Sequence, residues 1–253
     1  MDIIISQLPY MGWTVEKLDA LPKEYGIEVF IECGSDYFWR HVLKMLMKDR
    51  DGRLSVHGPF VQLNLADKHC DFEAVKESYR WCFDICNQFN AAHCVCHPHA
   101  EIPSYPGYRM KDGQKLALER TLVLNQMAKE AGVQMLVENM PYINLVFEQE
   151  DFVEIFGGAP ELEFLIDVGH AMLNRWDITQ VQAELGRRIR AYHIHENKGD
   201  FDAHLKVGEG PLDWQKFFAD YKTYTPDARL VLEYASGPLS AIIDNIALVK
   251  SYL

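Results

Sequence analysis

No GxGxxG follows the first apolar run, no two cysteines have CxxC spacing, and no apolar run approaches the ~20 residues of a membrane span. The first absence argues against an open dinucleotide-binding sheet. The second argues against a zinc knuckle or a dithiol redox centre, and the third against a transmembrane helix. Positive charge is also scarce: 25 Lys and Arg face 37 Asp and Glu, a formal net charge of -12. That disfavours nucleic acid or an anionic membrane surface as partner. The opening Met1-Asp-Ile-Ile-Ile-Ser has neither a basic segment nor a long apolar core, so no signal peptide is expected. The six cysteines are accordingly expected to be reduced, buried thiols of a cytoplasmic protein. Cys82 and Cys86 share a helix face, and Cys94 and Cys96 a strand face.

What the 253 residues do contain is a regular alternation. Short apolar runs occur at 2–6, 27–32, 54–57, 92–97, 133–138, 162–167, 189–194 and 229–233. Each is followed by a helical pattern, as at 71–89, where Val75, Tyr79, Cys82, Phe83 and Cys86 recur at helical spacing. The first helix is expected from Val15 to Tyr25 with Thr14 as N-cap, ended by Gly26. Near-continuous apolar strands suit a parallel sheet buried on both faces. Eight such units in one chain predict an α/β fold, a single (β/α)8 TIM barrel over residues 1–253. A doubly wound open sheet is the alternative.

The strands end on ionisable groups: His57, His97, Glu138, Asp167 with His170 one turn later, His193 and Glu233. In a barrel these ends converge on one face, where active sites are built. The seventh strand runs into a polar loop that adds His195, Glu196, Asp200, Asp202 and His204 before the Gly208-Glu-Gly210 turn. So many ionisable groups in one place repel or desolvate one another unless a cation or an acid/base role compensates. Two Glu, one Asp and one His suit a hard divalent ion, and the additional histidines supply enough nitrogen for zinc.

These segments together resemble the xylose-isomerase-like TIM-barrel superfamily, which includes sugar (phosphate) isomerases and epimerases and endonuclease IV. The resemblance is carried by His57-Gly-Pro-Phe with Leu63-Asn-Leu, His97-Pro, Val137-Glu-Asn and Ile166-Asp-Val-Gly-His-Ala. It continues through His193-Ile-His-Glu-Asn, Asp202-Ala-His, Gly208-Glu-Gly and Leu232-Glu. The epimerase branch implies one metal held by Glu138, Asp167, His193 and Glu233, with Glu138 and Glu233 also serving as proton-transfer groups. His193 is preferred over His195 because Glu196 follows it at the family's H-x-x-[DE] spacing. The endonuclease branch implies nine ligands, adding His57, His97, His170, Asp202 and His204, and all nine are present.

The implied function is a divalent-metal-dependent sugar or sugar phosphate isomerase or epimerase, working by proton transfer through a metal-stabilised enediolate. The alternatives are an endonuclease IV-like zinc phosphodiesterase and a metal-dependent polyol or keto-acid dehydratase. Mn2+ is the first expectation for the ion, with Zn2+, Co2+ and Mg2+ behind it. A small carbohydrate is the expected substrate, with Trp13, Phe60, Trp176 and His195 as further contacts. Tyr105 is a candidate apolar wall, and Glu32 a candidate polar lining. A homo-oligomer is left open, and Ser236-Gly237 offers only a weak anion site.

Overall fold

The structure is a computed structural model and describes residues 2–61, 63–141 and 145–253. Eight strands, β1 (Ile3–Ser6), β2 (Gly26–Phe30), β3 (Leu54–His57), β4 (His93–Cys96), β5 (Met135–Glu138), β6 (Glu163–Asp167), β7 (Ile189–Ile194) and β8 (Arg229–Leu232), pair in sequence order. β1 also pairs with β8, all pairs are parallel, and the barrel is closed. The helices α1 (Asp36–Leu46), α2 (Phe72–Gln88), α3 (Met110–Glu130), α4 (Gln149–Ile155), α5 (Val168–Leu173), α6 (Ile178–Leu185), α7 (Trp214–Tyr224) and α8 (Leu239–Tyr252) follow the strands. The expected barrel is therefore present.

Side chains alternate between the barrel lumen and the helix layer. Val95, Leu136, Leu165 and Ala191 form a small apolar cluster of their own inside the barrel. The intervening residues face outward into the main core. There Cys94 and Cys96 meet α2, with the Cys94 Sγ 3.3 Å from that of Cys82. All six cysteines are free thiols, four of them buried.

One local expectation changes, and one helix was not expected. Between β1 and β2 there is no α-helix from Val15 to Tyr25 but a 3-10 segment, Gly12–Ala20. Thr14 does not cap it; its hydroxyl donates instead to the Met11 carbonyl at 2.8 Å. The segment ends at Ala20 because Pro22 biases Leu21 to the extended conformation it adopts (φ -63°, ψ 140°). Gly26, expected to end a helix, opens β2. The unexpected helix, α5, follows β6 directly. The Asp167 carboxylate caps it by accepting from the His170 N–H at 2.7 Å, so one side chain both ends the strand and starts the helix.

Candidate metal centre

Two residues beyond the inner apolar cluster, the strand period returns to the lumen, now at its C-terminal mouth. Val95, Leu136, Leu165 and Ala191 are thus followed by His97, Glu138, Asp167 and His193 on the same inward face. Glu233, just past the end of β8, completes the ring. The Nδ1 of His193 lies 3.2 Å from Glu138 Oε1, 3.3 Å from Glu233 Oε2 and 3.5 Å from Asp167 Oδ2. All four residues are buried. Burial alone would raise the Glu138 and Asp167 carboxyls. The facing histidines outweigh it, and both are held well below the ordinary carboxylate value. His193 is the converse: burial would lower it, but Glu233, Glu28 and Glu138 push it well above 6.5. The ring is a strong trap for positive charge.

The remaining candidates form two flanking groups. Around the second oxygen of Glu138, Oε2, stand His97 Nε2 at 2.9 Å and His57 Nε2 at 3.7 Å. Around Asp202 Oδ2 stand His170 Nε2 at 3.1 Å and His204 Nε2 at 3.0 Å. His195 joins the latter group: its ring stacks on His204 with centroids 4.0 Å apart, and its Nε2 lies 3.0 Å from Asp167 Oδ2. Three of these histidines are oriented alike. The Nδ1–H of His57 is directed at the Gly58 carbonyl, that of His170 at Asn139 and that of His204 at Glu233, at 3.0, 2.8 and 2.9 Å. A ring held this way presents Nε2 inward, the arrangement usual for metal-ligating imidazoles.

Chemically, the central four fit a divalent cation. Three carboxylates supply hard oxygens, and His193 aims one nitrogen at them while its other nitrogen is occupied elsewhere. The centre opens into a cavity of about 270 Å³. Leu8, Phe30, Phe60 and Met140 give it apolar walls opposite the ionisable floor. Among the described residues, no Lys or Arg lines it.

Residues 15–252 match the family described as the xylose isomerase-like TIM barrel. The chain belongs to that family. Within and around the family the similarities are distant. The uncharacterized protein MJ1614 of Methanocaldococcus jannaschii is 28% identical over 203 residues, 79% of each chain. A D-tagatose 3-epimerase-like protein has a TM-score of 0.81 at 22% identity, covering 100% of this chain and 97% of its own. An IOLI protein with a bound zinc atom has a TM-score of 0.77 at 14% identity, covering 100% and 96%. At these identities the two solved structures establish the shared fold.

This xylose isomerase-like barrel brings together Glu138, Asp167, His193, Glu233, His57, His97, His170, His195, Asp202 and His204, together with Phe60. Three aromatic candidates lie elsewhere. Trp13 is 79% exposed and packs edge-on against Phe38. Trp176 is buried against Phe152 in the layer outside the barrel. Tyr105 packs edge-on against His69 and Tyr108. Aromatic side chains satisfy the same sequence pattern by ordinary packing, so their type alone carries no address. Glu32 lies just after β2 and accepts the Val61 N–H at 3.0 Å, holding a loop rather than lining the cavity.

Sequence reasoning passed over Glu28, His93 and Asn139. Asn139 ties β5 to β6, accepting from the Asp167 N–H and donating to its carbonyl, at 2.8 and 3.0 Å. Glu28 and His93 sit deeper in the barrel, fully buried. The available signal was a lone carboxylate inside the apolar run Gly26–Phe30, with no opposite charge near it in sequence.

Proposed function

We propose that the chain is a metal-dependent isomerase or epimerase of a small unphosphorylated sugar. The carrying observation is a cavity that reaches the metal ring through Glu138 and Glu233 and whose lining, among the described residues, contains no Lys or Arg. A phosphate there would find no Lys or Arg among the described residues, whereas sugar hydroxyls can accept from the imidazoles of His57, His170 and His204 and donate to Asp202. A bound divalent ion supplies the Lewis acidity that makes the C–H beside a sugar carbonyl acidic. Glu138 and Glu233 approach from β5 and from beyond β8, and each offers a carboxylate oxygen to a proton. One removes the proton from the substrate carbon and the other returns it to the opposite face or the neighbouring carbon. Phe30 and Phe60 cover the C–H faces of the sugar and exclude water. Mn2+ is the preferred ion for three carboxylates and one imidazole.

A metal-dependent phosphodiesterase is the second reading. It is favoured by the inward Nε2 atoms of His170 and His204 around Asp202, which could hold a further ion. The loop cations weigh against it: Arg109 is paired with Asp112, Lys111 with Asp151 and Lys206 with Glu209. Gripping a nucleic-acid backbone relies on free positive charge.

The test is to incubate Mn2+-loaded protein with a panel of ketoses and aldoses in D2O and follow C–H exchange. Deuterium at a carbon next to the carbonyl, with a new epimer or isomer, is expected. No exchange across the panel, with cleavage of an abasic-site oligonucleotide, would replace this reading by the second.

A further inference from the structure

The lumen of a (β/α)8 barrel is ordinarily filled by branched apolar side chains. Below the metal ring this barrel departs from that rule. Glu28 on β2, Ser55 on β3 and His93 on β4 are direct cross-strand neighbours, Glu28 opposite Ser55 and Ser55 opposite His93. All three are fully buried. Ser55 Oγ donates to Glu28 Oε2 at 2.8 Å, and His93 Nε2 stands 3.6 Å from the same oxygen. The other oxygen, Oε1, reaches across the barrel to His193 Nε2 at 2.8 Å. A buried carboxylate is costly by several kcal/mol unless its partners repay it. Here the principal partner is the one imidazole of the central ring.

We infer that Glu28 is a positioning residue for the metal centre. By accepting the Nε2–H of His193 it fixes the tautomer and ring plane that aim the Nδ1 lone pair at Glu138, Asp167 and Glu233. The carboxylate also raises the basicity of that nitrogen, as outer carboxylates do for metal-bound imidazoles. Ser55 holds Glu28 from the other side, so the interaction runs from β3 through β2 to β7. Without it, His193 can rotate or present the wrong nitrogen, and a divalent ion loses its only nitrogen donor in the ring. The inference rests on the metal centre proposed above, but it concerns metal binding rather than sugar chemistry.

Two substitutions test it. Glu28→Leu removes the acceptor and replaces it with an apolar group of similar size. Glu28→Gln keeps the shape and one neutral acceptor oxygen, so it also serves should the leucine variant fail to fold. The readouts are Mn2+ and Co2+ dissociation constants by calorimetry, the visible spectrum of the Co2+ form, and the melting temperature of the metal-free protein. The dissociation constant is expected to rise by about 10–100-fold, more for leucine than for glutamine. The Co2+ spectrum should change in both. The metal-free melting temperature should fall with leucine, which leaves Ser55 Oγ and His193 Nε2 buried without an acceptor, so metal affinity and the Co2+ spectrum decide the inference. Unchanged metal affinity and spectrum in both variants would overturn the inference, with a lowered melting temperature marking Glu28 as structural only. A wild type that binds no ion at the ring would overturn it together with the functional reading. A wild type that binds metal but exchanges no sugar C–H would overturn the functional reading alone.

Discussion

The Glu196 Oε2 accepts the backbone N–H of Gly208 at 2.6 Å, closing the base of the loop that carries Asp202 and His204. The same carboxylate accepts from Gly210 at 3.1 Å and Leu212 at 3.0 Å. The fit is tight: a Cβ at Gly210 would stand 2.9 Å from both the Asn197 carbonyl and the Glu196 side chain. Glu196→Ala would remove the shared acceptor of three partly solvated N–H groups and leave a void at a buried side chain. A loss of about 1–3 kcal/mol is expected, read by thermal or denaturant unfolding. Amide exchange at 208, 210 and 212 should accelerate with it. A variant as stable as the wild type would show that the loop is held by other contacts.

Glu138 is shared between the central ring, through Oε1, and His97, through Oε2. Glu138→Gln removes the charge from both at once. Metal affinity should fall by at least about 100-fold and sugar C–H exchange should be lost, while the closed barrel persists by circular dichroism. Retained exchange at wild-type rates would exclude Glu138 as both ligand and base.

The Asp202 group separates the two functional readings. In the sugar reading it contacts substrate hydroxyls. Asp202→Asn should then leave metal stoichiometry by elemental analysis unchanged at one ion per chain, and raise KM for the sugar about tenfold. Two or three tightly held ions in the wild type, with one lost in this variant, would favour hydrolysis.

His170 is pushed up to about 10 and His204 to about 9. In each, burial acts downward but is outweighed by neighbouring carboxylates, Asp167 and Asp202 for His170, and Asp202 and Glu233 for His204. Groups raised above their unfolded value stabilise the fold fully below about pH 6.5 and lose that contribution as pH climbs through 9 and 10. The melting temperature of chelator-treated protein should therefore fall between about pH 7 and 10. His193 in the ring is raised as well, and a bound metal displaces the proton from its Nδ1, so Mn2+ addition at pH 8 should release protons measurable with an indicator dye. A flat melting profile over that range would contradict these assignments.

Only Cys33 is exposed, and Cys70 is half-buried. A thiol reagent should label these two in the native protein, Cys70 more slowly. Cys82, Cys86, Cys94 and Cys96 should react only on unfolding. Rapid labelling of four or more thiols in the folded state would contradict the α2–β4 packing.

The sequence alone was enough for the eight strands, their order and the set of ionisable groups at the mouth. Both signals are local: an apolar run marks a strand buried on both faces, and a polar residue at its end marks where it leaves the core. The helix expected after β1 failed on an equally local matter, the restriction that Pro22 places on Leu21.

The preference for His193 over His195 rests on the family's H-x-x-[DE] spacing, and only the third dimension shows what surrounds each. They are two apart on one strand, so both face the lumen, and periodicity cannot rank them. Register gives them different neighbours: His193 is level with Asp167, while His195 stands one step higher, stacked on His204. Glu28 was hidden for a related reason. Its partner is 165 residues away in sequence and across the barrel. The alternation of side chains is written into each strand, but which strand faces which depends on the closure and stagger of the whole barrel. That geometry exists only after folding, and it turns an isolated buried glutamate on β2 into the support of a histidine on β7.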